Sequence, residues 1–384
     1  MQVYLDNAAT SRQKPPEVFR ALEEFFLEIN CNPGRGGYGL SLEAGRRVME
    51  GREALADFFH VPEANQVIFT QNVTLALNLA MKGLLGEGDH VLITGLEHNA
   101  VLRPLHALQR ERGVTYTVLP TSPQGHLDLE KVEKLINSRT RMIVATHASN
   151  VMGTLVPIKE LGELAGAYGL DLVIDAAQTA GCYPLDFQDL NASVLAFTGH
   201  KHLLGPMGIG GLCLRKDVAK RLRPLYEGGT GSVSDQGEQP DFLPDKFESG
   251  TLNTLGIVAL GAAVRYLQAV GVEKIRQRET ELTGRLLAGL AALPELIVYG
   301  PRDPVQQTGT VAVNVEGMDN AELCFLLDRK FGVMTRPGLH CAPLAHRTMG
   351  TFPAGVLRFS IGHFTTEEEI DYVLLCMKKI LAEL

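Results

Sequence analysis

Short apolar runs recur through the first two-thirds of the chain at Gln66–Thr70, His90–Thr94, Thr115–Leu119, Arg141–Thr146, Leu172–Asp175, Val194–Phe197 and Gly210–Leu214. Several of them lack polar alternation, the pattern of strands buried on both faces of a largely parallel sheet. Helical patterns lie between them. Apolar residues at helical spacing predict helices over Thr74–Leu84 and Ala100–Arg112. An α/β domain follows from this succession.

Later segments are organised differently. Residues 228–246 are rich in Gly, Ser, Gln, Asp and Pro without periodicity and predict a long loop. Loops of that length usually serve a function or lack order. Two helices are predicted after it, Gly256–Val270 and Val272–Ala292, the first as a bridge. Beyond residue 295, strands at Thr308–Asn314 and Val356–Ser360 mix with helices at Asn320–Lys330 and Thr366–Leu381, which suits a smaller α+β unit. A length of 384 residues leaves room for two domains.

Bulk properties narrow the function. A net charge of −8 argues against a nucleic-acid partner. No uncharged apolar stretch reaches the ~18 residues of a membrane span, and the first residues lack the basic and apolar segments of a signal peptide. The six cysteines are scattered without a C-x-x-C pair, so neither a disulfide framework nor a metal site is expected. Free thiols in a cytoplasmic setting fit better.

Chemistry concentrates at the ends of the predicted strands. Thr198-Gly199-His200-Lys201 closes one strand, and Asp175 closes another in Val173-Ile174-Asp175-Ala176-Ala177-Gln178. A lysine amine that condenses with an aldehyde, with an acid to face a protonated ring nitrogen, is what pyridoxal 5'-phosphate requires of a protein. Taken singly, each has a plainer reading as a solvated charge or a helix cap. Thr74 opens a helix, where backbone N–H groups favour phosphate, although Asn72 or Thr74 equally makes an ordinary N-cap. His98 and Asn150 follow strands, at the edge where open α/β sheets bind ligands, and either also suits a surface turn. Arg358 offers paired donors for a carboxylate. Cys341, in Arg336-Pro337-Gly338-Leu339-His340-Cys341-Ala342-Pro343, lies in a Pro/Gly-bounded loop beside a histidine, where a thiol is accessible and open to activation.

Together with Tyr4-Leu5-Asp6-Asn7-Ala8-Ala9-Thr10, Glu97-His98, Ser149-Asn150-Val151-Met152-Gly153-Thr154 and Phe247-Glu248-Ser249-Gly250-Thr251, these motifs span nearly the whole chain. In order and spacing the sequence resembles the class V aminotransferases among the fold-type I pyridoxal phosphate enzymes, and within them the cysteine desulfurases of type II. The resemblance implies a large domain with a mainly parallel seven-stranded sheet over residues 15–265, and a small α+β domain from 1–14 and 266–384. It implies that Lys201 forms the Schiff base, Asp175 pairs with the pyridine nitrogen, Gln178 bonds the ring hydroxyl and His98 stacks on the ring. Thr74, Thr198 and His200 would hold the phosphate, and Thr251 the phosphate in a partner subunit of a homodimer. Asn150 and Arg358 would grip the substrate carboxylate. Cys341 would take sulfur from L-cysteine (or selenium from selenocysteine) and pass it to an acceptor protein. Selenocysteine lyase, C–S lyase and aminotransferase chemistry stay open on the same fold.

Overall fold

The structure is a computed structural model describing residues 1–34 and 36–383. Its largest sheet has seven strands, in the spatial order Val67–Thr70, Gly210–Leu214, Val194–Thr198, Asp171–Asp175, Thr140–Thr146, His90–Ile93 and Thr115–Val118. Gly210–Leu214 runs antiparallel to both neighbours, and every other pairing is parallel. The mainly parallel seven-stranded sheet expected from the sequence is therefore present. Five of the strands are buried along their whole length. Thr115–Val118 is only partly covered, as suits an edge strand, and its Thr-Tyr-Thr-Val composition tolerates that exposure.

Helices cover both faces of this sheet. Val73–Leu84 begins where Asn72 Oδ1 accepts the Leu75 N–H at 3.0 Å, satisfying one donor of the first turn. Asn99–Arg112 ends at Gly113, whose φ of +64° closes the last turn. Thr254–Val270 is buried along most of its length and packs against two earlier helices, Pro16–Glu24 and Gly39–Phe58, which the sequence reading did not mark. No single helix is long and apolar enough to cross a membrane.

A second sheet of four antiparallel strands has the order Arg336–Gly338, Val356–Ser360, Thr310–Val315 and Leu296–Tyr299. Helices Val272–Ala291 and Glu367–Leu381 pack on one another beside it, around a core that includes Leu286, Val313, Phe359 and Met377. Thr366 and Glu369 form a reciprocal capping box at the start of the last helix. The N-terminal strand Val3–Tyr4 pairs in parallel with Val333–Met334, so the first residues pack with the C-terminal ones. Between residues 222 and 253 the described chain has neither helix nor strand, which accommodates the expected loop.

Candidate active site

Parallel strands in one sheet end at the same edge, and this brings the candidate residues together. His98 follows His90–Ile93, Asn150 follows Thr140–Thr146, Asp175 ends its own strand, and Thr198, His200 and Lys201 close Val194–Thr198. Because Gly210–Leu214 is antiparallel to both neighbours, Val67–Thr70 regains the common direction and Thr74 joins the same edge. The crevice outside the carboxyl ends of such strands is the usual ligand site of an open α/β sheet.

Asp175 is buried and accepts the Ala177 N–H at 2.9 Å. Burial holds its pKa above the usual carboxylate range, against the Ala177 hydrogen bond and the Lys201 charge. Lys201 keeps some exposure, yet desolvation brings its ammonium down to about 8. Asp175 opposes that fall, Arg358 adds to it, and Cys341 and Asp6 oppose it weakly. A lysine so placed exchanges a proton near neutral pH, as a nucleophile and proton carrier must.

His98 is desolvated and lies near the charges of Lys201, Arg103 and Arg358, so its imidazole titrates at about 4. Its Nδ1 accepts the Ala100 N–H at 3.0 Å, which leaves the ring proton on Nε2. The residue therefore caps its own helix while presenting a neutral ring.

Among the described residues, buried polar atoms without a partner include Thr198 Oγ1, His200 Nδ1, Gln178 Oε1, Arg358 Nε and His340 Nδ1 at this edge. Leaving such a group unsatisfied costs about 1–3 kcal/mol, so a polar ligand suits the crevice. Asn72 takes the helix-cap role, leaving the exposed Thr74 hydroxyl and the helix N-terminus free for an anion. These groups fit the phosphate and ring of pyridoxal 5'-phosphate. Gln178 directs its amide nitrogen to Ala8 O at 3.0 Å, which leaves its carbonyl oxygen as the atom without a partner.

Arg358 differs from a surface strand arginine. It is 2% exposed, donates to Asn150 O at 2.8 Å, and pairs with Asp6 at 2.8 Å. Arg336 takes the same Asp6 carboxylate through Nε at 3.0 Å and Nη2 at 2.7 Å.

The Cys341 thiol is exposed, on a loop where His340 and Cys341 both adopt left-handed φ values of 50° and 55°. Two hydrogen bonds fasten this loop to the sheet edge. Asn99 N–H donates to Cys341 O at 2.8 Å, and Asn150 Nδ2 donates to His340 O at 2.8 Å. Burial and the Arg358 charge hold His340 at about 3, so its neutral ring cannot supply the positive charge that its place beside Cys341 invites. The cations whose charges act with Cys341 are Lys201 and Arg336.

Thr251 stands apart. It is exposed before helix Thr254–Val270 and hydrogen-bonds none of the other candidates among the described residues. Its motif is anchored by Glu248, which holds buried Arg52 at 2.7 and 2.8 Å and accepts the Phe69 N–H at 2.7 Å.

Several contributors escaped the sequence reading. Asp6 lies inside the N-terminal motif, but nothing local marks it as the anchor of two arginines. Ser11 donates to Lys201 O at 2.7 Å, and Lys14 Nζ reaches Ser11 Oγ at 2.6 Å and His200 O at 3.1 Å. Both brace the lysine loop, and their only sequence signal is closeness to that motif.

Residues 3–373 match the family Aminotransferase class-V. The chain belongs to that family. A probable cysteine desulfurase of Methanothermobacter thermautotrophicus is 36% identical over 373 residues, covering 96% of this chain and 92% of the relative. A cysteine desulfurase of Klebsiella pneumoniae is 35% identical, covering 98% and 93%. Among solved structures, the apo cysteine desulfurase of Thermococcus onnurineus matches with a TM-score of 0.94 and 33% identity, over 100% of this chain and 95% of that one. A cysteine desulfurase of Escherichia coli in its S-sulfonic acid form matches with a TM-score of 0.89 and 27% identity, over 100% and 95%. This member of the class-V family thus shares its fold with proteins named cysteine desulfurase, over 92–95% of their length.

Proposed function

We propose that this protein is a pyridoxal 5'-phosphate-dependent cysteine desulfurase, which converts L-cysteine to L-alanine and carries the sulfur on Cys341 as a persulfide. The observation that supports it most is the fastening of the Cys341 loop, through Asn99 and Asn150, to the sheet edge that carries Lys201.

When bound, the cofactor supplies an aldehyde for the substrate amine and a pyridinium ring that withdraws electrons. Thr74, Thr198 and His200 would hold its phosphate, Asp175 would keep the ring nitrogen protonated, the neutral His98 ring would cover a face, and Gln178 would accept from the ring hydroxyl through its unpartnered Oε1. Arg358, fixed by Asp6, keeps an unpartnered Nε that would donate to the substrate carboxylate, with Asn150 as a second donor. Lys201 moves the proton at the α carbon. Cys341 attacks the substrate sulfur as a thiolate. The new S–S bond forms as the Cβ–S bond breaks, and the carbon takes a proton to become the alanine methyl.

Thr251, exposed and uncommitted, serves a second copy's phosphate in a homodimer. An acceptor protein takes the persulfide sulfur from the exposed loop. The six free cysteines suit a cytoplasmic protein.

Incubation of the holoenzyme with L-cysteine tests the reading. A sulfur adduct of about +32 Da is expected on the Cys341 peptide, and Cys341→Ala should abolish sulfur release. Undiminished sulfide release by Cys341→Ala would make the protein a C–S lyase instead.

A further inference from the structure

We propose that Cys182, His202 and Glu279 form a buried binding site for a divalent transition-metal ion of the zinc class. Their ligand atoms all lie within 4.8 Å of one another. The residues are 3%, 8% and 6% exposed, and they line a cavity of about 210 Å³. No spacing in the sequence joins them. Cys182 lies in the turns beyond strand Asp171–Asp175, His202 follows Lys201, and Glu279 projects from helix Val272–Ala291.

His202 supplies the second, independent indication. Its ring borders the cavity, is more than nine-tenths buried, and makes no hydrogen bond among the described residues. Its ring nitrogens are open to the cavity, where an ion or water would meet them. The Cys182 thiol lies 3.4 Å from Gln178 O and is placed to donate to the Glu279 carboxylate. Glu279 pairs with Arg276 at 3.1 Å, but Arg276 also bonds Pro304 O and Val305 O and lies over the Tyr183 ring. Arg276 thus keeps other acceptors when the carboxylate, which also takes the Gly309 N–H, turns to an ion.

A thiolate and a carboxylate together cancel a divalent charge, and for the ion to enter, the Arg276 guanidinium beside Glu279 turns wholly to its Pro304 and Val305 carbonyl partners. Cys182 releases its thiol proton to solvent as the metal–sulfur bond forms, and neutral His202 binds through a ring nitrogen. Tetrahedral zinc with thiolate, imidazole and carboxylate ligands needs spacings of about 3.5 Å, so no pair of these side chains has to close by more than about 1.3 Å. The cavity leaves room for water as a fourth ligand.

Close backbone packing shapes the site. At Gly181, with a φ of +105°, a Cβ would come within 2.2 Å of His202 O. A bound ion would tie the Cys182 turn, the lysine loop and helix Val272–Ala291 together. The site is independent of the reaction assigned above.

The test uses cofactor-loaded protein carrying Cys341→Ser, which removes the exposed thiol as a competing ligand. After incubation with Zn²⁺ and gel filtration, about one ion per chain is expected, and Co²⁺ should give a thiolate charge-transfer band. Adding Cys182→Ser should abolish the band. Adding His202→Gln should weaken binding at least roughly tenfold, with circular dichroism and cofactor absorbance confirming the fold. A band that fails to form in the parent, or that survives Cys182→Ser, overturns the proposal.

Discussion

Asp6 and Arg358, 352 positions apart in the chain, form a buried ion pair with Oδ1 2.8 Å from Nη2. The same carboxylate holds Arg336, whose side chain is half exposed. Removing one partner of a buried pair strands the other charge at a cost of about 3–5 kcal/mol, while the exposed Arg336 contact adds little. Asp6→Asn should therefore destabilise the protein by about 3 kcal/mol in urea unfolding at pH 7. A loss below about 1 kcal/mol would show that Arg358 is satisfied without Asp6.

Lys201 should react with pyridoxal phosphate well below the usual lysine range. With its pKa at about 8, roughly a quarter of the amine is neutral at pH 7.5, against about one part in a thousand for an unshifted lysine. Cofactor uptake by the stripped protein, followed by absorbance, should rise with pH through a midpoint near 8. A midpoint above 10 would mean that the site does not desolvate this ammonium.

The bond from Asn150 Nδ2 to His340 O holds the thiol loop in place. Its loss in Asn150→Ala removes about 1 kcal/mol of positioning, which is roughly fivefold in rate. Single-turnover persulfide formation at saturating cysteine should slow by that factor. An unchanged rate would assign the loop's position to Asn99 alone.

Acid should weaken the fold through His147 and His346, both buried and both held at about 4 by desolvation. The unfolded chain binds more protons than the folded one between about 4 and 6.5, so stability rises with pH across that window. Each histidine should contribute a slope of about 1.4 kcal/mol per pH unit. Urea midpoints compared at pH 7 and pH 5 measure it, and His147→Gln should flatten the slope by one histidine's share.

The sequence carries the local part of this architecture clearly. The helix expected over Thr74–Leu84 occupies Val73–Leu84, and the strand expected at Gly210–Leu214 is found there. The helix expected over Thr366–Leu381 occupies Glu367–Leu381, with Thr366 as its cap. Strand-end residues such as Asp175, Asn150 and Lys201 were also readable, because a parallel sheet delivers strand ends to one edge whatever the intervening loops do. Helices Pro16–Glu24 and Gly39–Phe58 were missed. The first is short, and the second mixes Gly and charged residues into its buried face, which blurs its periodicity.

Composition, periodicity and turn chemistry, all short-range properties, thus determined the order of elements and the residues offered for chemistry. Tertiary structure alone decided which distant groups meet. It joined Asp6 to Arg358, tied Asn99 and Asn150 to the Cys341 loop, left His340 neutral, and gathered Cys182, His202 and Glu279 around one cavity. Ion pairing and desolvation depend on separation and burial in space, and neither is written in the spacing of residues along a chain.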